Sequence, residues 1–174
     1  ILIQWLLIPS LMFALIKSHL WSENERYLNP HKVEEANRKE QASFFDALAP
    51  KWSEVRILDQ EKVKRLLSPL SLKGEVLDVA CGDGVLDEEL LSEGLQVDGI
   101  DISAEMIRNA KAKHHNPKLT YFCGDFYSFE TQKRYDALIV FDAYPHFIDR
   151  DAFAEKASRL LKKGGRLFIL QDAA

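Results

Sequence analysis

Between Glu75 and Leu170, short apolar runs alternate with stretches whose apolar residues recur every three or four positions. The runs lie near 75–80, 96–101, 119–123, 135–141 and 165–170, with helical spacing near 84–93, 103–114 and 149–162. An apolar run bounded by turn formers suits a strand buried on both faces. The order strand, helix, strand, helix therefore predicts an α/β fold, a doubly wound and mostly parallel sheet with helices on both sides. Crossovers between parallel strands are right-handed, which sends every strand C-terminus to one edge, and open sheets of this kind hold ligands in the crevice beyond it. Ser103 reads as a helix N-cap, and Gly94 and Gly164 as caps just past helix ends.

Upstream the pattern changes. Ser22 to Lys39 is polar and reads as a linker with a break at Asn29-Pro30, leading into a helix near Val33 to Leu48 whose apolar face carries Phe44, Phe45 and Leu48. Pro50 ends that helix, Lys51-Trp52-Ser53 reads as a loop, and a second amphipathic helix runs from Ile57 to Leu67. Ile1 to Ile16 is apolar apart from Gln4 and Ser10, shorter than the ~20 residues a spanning helix needs. It has neither the leading positive charge nor the small-residue cleavage site of a signal peptide. It reads as a membrane anchor or as sequence translated upstream of an internal start at Met12.

Composition narrows the chemistry. A chain of 174 residues with 47% hydrophobic residues has room for one folded domain. Its formal net charge of −4 offers no basic field for a polyphosphate backbone, so no nucleic-acid partner is expected. The two cysteines, Cys81 and Cys123, read as free thiols in a reducing cytoplasm. His114-His115 reads as a helix cap, and no residues are spaced as metal ligands.

The first apolar run passes directly into an acidic glycine turn, Val76-Leu-Asp-Val-Ala-Cys-Gly-Asp-Gly84, and the second ends in an acid, Asp101. Gly82 and Gly84 permit a sharp turn and a close ligand, while the helix that follows presents free N–H groups. A dinucleotide fingerprint wants Gly or Ala three positions after Gly84, where this chain has Asp87. A pyrophosphate would also lie beside Asp78 and Asp83, with no nearby Arg or Lys to compensate. A cofactor with a cationic end and no phosphate suits the turn better, as S-adenosyl-L-methionine does. Asp101 suits vicinal ribose hydroxyls, because a carboxylate accepts two hydrogen bonds at once.

Five segments in order resemble the class I S-adenosylmethionine-dependent methyltransferases. The first is Asp78-x-Ala80-x-Gly82-x-Gly84, with Ala80 where the family has its first glycine, a mild change on grounds of size. The others are Gly99-Ile-Asp-Ile-Ser103, Cys123-Gly-Asp-Phe126, Tyr135 to Asp142 and Leu160 to Ile169. The resemblance spans roughly residues 36–174 and implies a Rossmann-like sheet, here cut short after the fifth strand. The chain then divides into an apolar segment over 1–22, N-terminal helices over 23–70 and a cofactor-binding core over 71–174, and by the resemblance the segment with Phe44, Phe45 and Trp52 lies over the cofactor as a lid. By the same resemblance the cofactor contacts Asp78, Ala80, Cys81, Gly82 and Gly84, then Asp101, Ile102 and Met106, then Gly124, Asp125 and Phe126, and Phe141 at the fourth strand's end. Asp101 takes the ribose hydroxyls and Asp125 the adenine amino group.

The fourth strand's exit is where family members place acceptor-side residues. His146 titrates near neutrality and Tyr144 carries a hydroxyl, so these are the candidate catalytic residues. The expected activity is methyl transfer to a small molecule, whose identity and methylated atom the sequence leaves open, as it does the oligomeric state. The alternative is a non-catalytic scaffold that binds the same cofactor.

Overall fold

A computed structural model describes residues 30–56 and 59–171 of the chain. The apolar segment 1–22, the candidate anchor within it, and Ile57 and Leu58 lie outside the described residues; the helix expected from Ile57 begins at Gln60, after Asp59, whose side chain caps it by accepting from Glu61 N–H. Among the described residues no helix is long and apolar enough to cross a membrane.

Five strands form one sheet: β1 (Glu75–Val79), β2 (Gln96–Asp101), β3 (Leu119–Cys123), β4 (Tyr135–Phe141) and β5 (Leu161–Leu170). Their order is β3-β2-β1-β4-β5 and every pairing is parallel. β1 lies at the centre because it pairs with both β2 and β4, and Val76 to Val79 are all buried. Strand alternation sends Leu77 and Val79 into one core with Leu138, Val140, Phe126 and Phe153, and Val76 into a second with Val63, Leu86, Leu90 and Ile139. Each large side chain fully buried there contributes ~1.5–3 kcal/mol. The doubly wound, Rossmann-like reading of the sequence stands.

The helices are α1 (Pro30–Leu48), α2 (Trp52–Val55), α3 (Gln60–Leu67), α4 (Asp87–Ser92), α5 (Ala104–Lys113) and α6 (Arg150–Leu160). Pro30 opens α1 rather than breaking the chain, as a proline suits the first turn, where its missing N–H has no partner to lose. Lys51-Trp52-Ser53 is not a loop either: a 3-10 turn over Ala49–Lys51 runs into α2. Ser103 caps α5 as expected, accepting from Met106 N–H at 3.1 Å. Gly94 follows the end of α4 with φ +82°, its N–H on Leu91 O at 2.9 Å. Gly164 differs. β5 begins immediately after α6, and Gly164 takes φ +80° inside that strand, where the register with β4 jumps from Tyr135↔Leu161 to Ala137↔Arg166. It serves a bulge, not a helix cap.

Candidate functional site

The glycine turn leaves β1 through three left-handed residues, Ala80 at φ +59°, Gly82 at +56° and Gly84 at +82°. Cys81 N–H donates to Ile100 O at 3.1 Å, which holds the turn against β2. A Cβ on Gly82 would meet nothing within 4 Å, so the face above it is open. One on Gly84 would stand 2.8 Å from Asp87 Oδ2 and 2.9 Å from His114 Cδ2, and closer still to the Tyr121 hydroxyl. Gly82 therefore faces open space, whereas the absent side chain of Gly84 leaves room for Asp87, Tyr121 and His114. Ala80 changes more than size: an L-residue in left-handed backbone costs ~1–2 kcal/mol, which a glycine there would not incur.

Asp101 closes the next strand. Gly82 N–H donates to its Oδ2 at 2.8 Å and Ser103 N–H to its Oδ1 at 2.9 Å. Each oxygen keeps a further acceptor position. Burial outweighs these two bonds and pushes the carboxyl up to about 6. Gly124 N–H reaches Asp101 O at 2.9 Å, which brings the third strand's exit to the same place. Ile102 is half-buried beside it.

Beneath the turn lies a well of carboxylates. Asp78 is 2% exposed, meets no hydrogen-bond donor among the described residues, and is pushed well up by burial and by the charges of Asp87 and Asp101. Asp87, fully buried, accepts the Tyr121 hydroxyl on Oδ2 while its Oδ1 has no partner, and burial raises it to about 6. The carboxylate that argued against a dinucleotide is thus accommodated by a tyrosine from β3. The Cys81 thiol is pushed well above its usual range by burial and by Asp101, which suits an inert side chain. Cys81 and Cys123 are both free thiols.

The expectation that no basic group stands near these acids is overturned. Lys113 pairs with Asp83 from the end of α5, and the Arg56 guanidinium acts electrostatically on Asp78. Arg56 also binds Asp142 Oδ2 at 2.7 Å, lies 4.7 Å from the Phe141 ring centroid, and keeps a buried Nε without a partner. Asp142 takes φ +51°, so β4, like β1, leaves its end through a left-handed residue.

α1 is bonded to the exits of three strands. Asp46 accepts from Ser103 Oγ at 2.6 Å and Glu105 N–H at 3.1 Å. Arg38 binds Asp125 Oδ2 at 2.6 Å, and Asn37 and Gln41 donate to His146 O at 3.3 and 2.9 Å. Asp125 also caps the turn Phe126–Ser128, its Oδ1 accepting from Tyr127 N–H at 3.2 Å. The His146 ring meets Phe45 edge-on at 5.5 Å, and burial lowers its pKa. Phe45 in turn touches Phe44 at 5.2 Å and Trp52 at 6.0 Å. Tyr144 packs between Phe153 and the Arg150 guanidinium at 5.5 and 5.2 Å. Met106 and Phe126 are core residues, 1% and 4% exposed.

A groove of about 710 Å³ runs from Trp52 and Arg56 past Asp83 and Gly84 to Lys113 and His114. Of the residues singled out from sequence as cofactor contacts, it includes Gly84 alone. Among the described residues no three His, Cys, Asp or Glu side chains are placed to hold a metal ion. Sequence reading missed Arg38, Arg56 and Asp46. Their partners lie 87, 86 and 57 residues away, so no local pattern announces them.

A profile of the family described as "Methyltransferase domain" matches residues 76–165, just over half of the chain. The ubiquinone biosynthesis O-methyltransferase of Coxiella burnetii (strain Dugway 5J108-111) is 30% identical over 142 residues, covering 75% of this chain and 61% of the relative. That of Pelagibacter ubique (strain HTCC1062) is 28% identical over 159 residues, covering 90% of this chain and 61% of the relative. The chain thus spans about three fifths of the length of these curated relatives. Among solved structures, phosphoethanolamine N-methyltransferase 2 of Haemonchus contortus, in complex with S-adenosyl-L-methionine, superposes with TM-score 0.59 at 27% identity, covering 63% of this chain and 27% of that one. The glycopeptide N-methyltransferase MtfA with the same cofactor shares the fold, with TM-score 0.55, 19% identity and coverages of 62% and 52%.

Proposed function

This chain belongs to the methyltransferase-domain family, and from that premise we propose that it binds S-adenosyl-L-methionine at the C-terminal edge of its sheet and methylates a small molecule. The observation that carries the reading is Asp101. Its two oxygens are each fixed by one backbone N–H and each keeps an acceptor position, a pairing that suits a vicinal diol, and Gly82 beside it is open.

The rest of the edge fits the cofactor's charges. A sulfonium and an ammonium suit a well holding buried Asp78 and Asp87, and the unpartnered Nε of Arg56 suits the methionine carboxylate. The spare acceptor position on Asp125 Oδ1 suits an adenine amino group. Met106 and Phe126 back the crevice wall from the core. When bound, the cofactor supplies a methyl carbon already activated for in-line displacement. The chain's own residues then align the acceptor and exclude water.

Burial lowers the His146 pKa and so favours the neutral imidazole, the form that can take a proton from a hydroxyl acceptor. A hydroxyl is favoured by the O-methyltransferase names of the curated relatives. Calorimetric titration with S-adenosylhomocysteine and with NAD tests the reading. The expected result is binding of the first in preference to the second, and tighter binding of NAD overturns it.

A further inference from the structure

We infer that Asp46, on α1, is a positioning residue for the cofactor's ribose: acting through Ser103, it fixes one of the two N–H groups that orient Asp101. The inference rests on the reading of Asp101 as the ribose acceptor and extends it to a residue outside the sheet.

The connection is continuous. Asp46 Oδ1 receives Ser103 Oγ at 2.6 Å and Glu105 N–H at 3.1 Å, so one carboxylate oxygen grips the residue that caps α5 and the first turn behind it. Ser103 Oγ accepts Met106 N–H at 3.1 Å, which uses both roles of the hydroxyl and fixes the side chain. The backbone N–H of this fully buried serine then donates to Asp101 Oδ1 at 2.9 Å. Gly82 N–H holds the other oxygen at 2.8 Å. With both donors in place the carboxylate plane cannot rotate, and its spare acceptor positions remain paired for two adjacent hydroxyls.

The arrangement distinguishes hydrogen bonding from charge. The Asp46 charge raises the Asp101 pKa, so removing that charge alone leaves Asp101 more readily ionised and a better acceptor. What must be kept is the oxygen facing Ser103 Oγ and Glu105 N–H. An asparagine supplies it and an alanine does not.

The experiment titrates the full chain with S-adenosylhomocysteine and with its 2′,3′-dideoxy analogue, which lacks the hydroxyls that Asp101 would hold. The parent should bind the first ~10-fold or more tightly than the second, as expected for lost hydrogen bonds to a charged group. Asp46→Ala should lose ~5–10-fold on S-adenosylhomocysteine but less than ~2-fold on the analogue, because a weakened Asp101 contact has no hydroxyl to miss. Asp46→Asn should bind S-adenosylhomocysteine at least as tightly as the parent and match it on the analogue. An equal loss on both ligands makes Asp46 merely structural and overturns the inference, as does a loss in Asp46→Asn as large as in Asp46→Ala. Should Asp46→Ala fail to fold, Asp46→Glu, which displaces the oxygen by one methylene, carries the same comparison. A parent that binds both ligands equally overturns the ribose reading itself, a result separable from failure of Asp46 alone.

Discussion

Gly82 and Gly84 both lie in left-handed backbone, yet alanine should act on them in opposite ways. At Gly84 the strained conformation costs ~1–2 kcal/mol, of which ~0.4–1 is returned because alanine restricts the unfolded chain. The new methyl would also stand 2.8 Å from Oδ2 of buried Asp87 and 2.9 Å from Cδ2 of half-buried His114, so it must displace these groups at ~1–3 kcal/mol. The expected loss of stability is about 3 kcal/mol, a large part of a typical domain's ~5–15. At Gly82 only the conformational cost applies, since nothing lies within 4 Å, and the net loss should be about 1 kcal/mol. Affinity should show the reverse order. The Gly82 methyl enters the open face beside Asp101, so S-adenosylhomocysteine should bind ~10-fold more weakly, about 1.4 kcal/mol. Folded Gly84→Ala should stay within ~3-fold of the parent, about 0.65 kcal/mol. Urea unfolding followed by circular dichroism, paired with calorimetric titration, reads both quantities. Equal destabilisation by the two substitutions, or a larger affinity loss at Gly84, would refute the division between ligand access and core room.

Ala80→Gly should stabilise the chain by about 0.5 kcal/mol, because relief of the left-handed strain slightly exceeds the lost methyl packing and the added unfolded-state entropy; a drop in the urea midpoint would contradict this. Asp87 and Asp101, both raised to about 6 from 3.8, hold protons in the folded chain that the unfolded chain has released. Their contribution to stability is therefore complete below about 3.8 and is lost as pH rises through about 6, on the order of 2–3 kcal/mol each. Unfolding free energies of the unliganded chain at a series of pH values check this, and stability rising steadily across that window would reject it. With a hydroxyl acceptor, His146→Ala should reduce turnover ~10²–10⁴-fold while leaving S-adenosylhomocysteine affinity unchanged. The parent's rate should fall only as pH drops below the imidazole's ordinary 6.5, because burial lowers its pKa. Equal losses of turnover and cofactor affinity would assign His146 to the cofactor side.

The sheet was legible because each strand is an apolar run with a polar or glycine exit, a pattern written within a few consecutive residues. The caps at Ser103 and Gly94 were legible for the same reason. Gly164 was not. A glycine after a helix means a cap if the chain turns away and a bulge if it enters the sheet at once, and only the pairing of Tyr135 with Leu161 decides. How Asp87 is accommodated was not legible either, since it depends on Tyr121, which only the fold brings to it from β3. The cost of Ala80 was hidden because side-chain size is visible in a sequence and φ is not. Arg38, Arg56 and Asp46 were invisible since each finds its partner across the fold.

The central place of β1 also sets a timetable for the growing chain. Val76 pairs with Val97 on one side but with Ala137 on the other, so one edge of the innermost strand waits for a segment made much later. Non-local parallel pairings of this kind slow folding, because loop closure must precede the contacts that reward it. During synthesis β1, β2 and β3 can assemble first, leaving the apolar flank of Val76, Leu77 and Val79 open to any passing strand until Phe141 clears the ribosome. Slowing translation once β1 to β3 have emerged but β4 has not would prolong that exposure and favour aggregation. The same pause placed after β4 has emerged would come once that strand is already available to cover it.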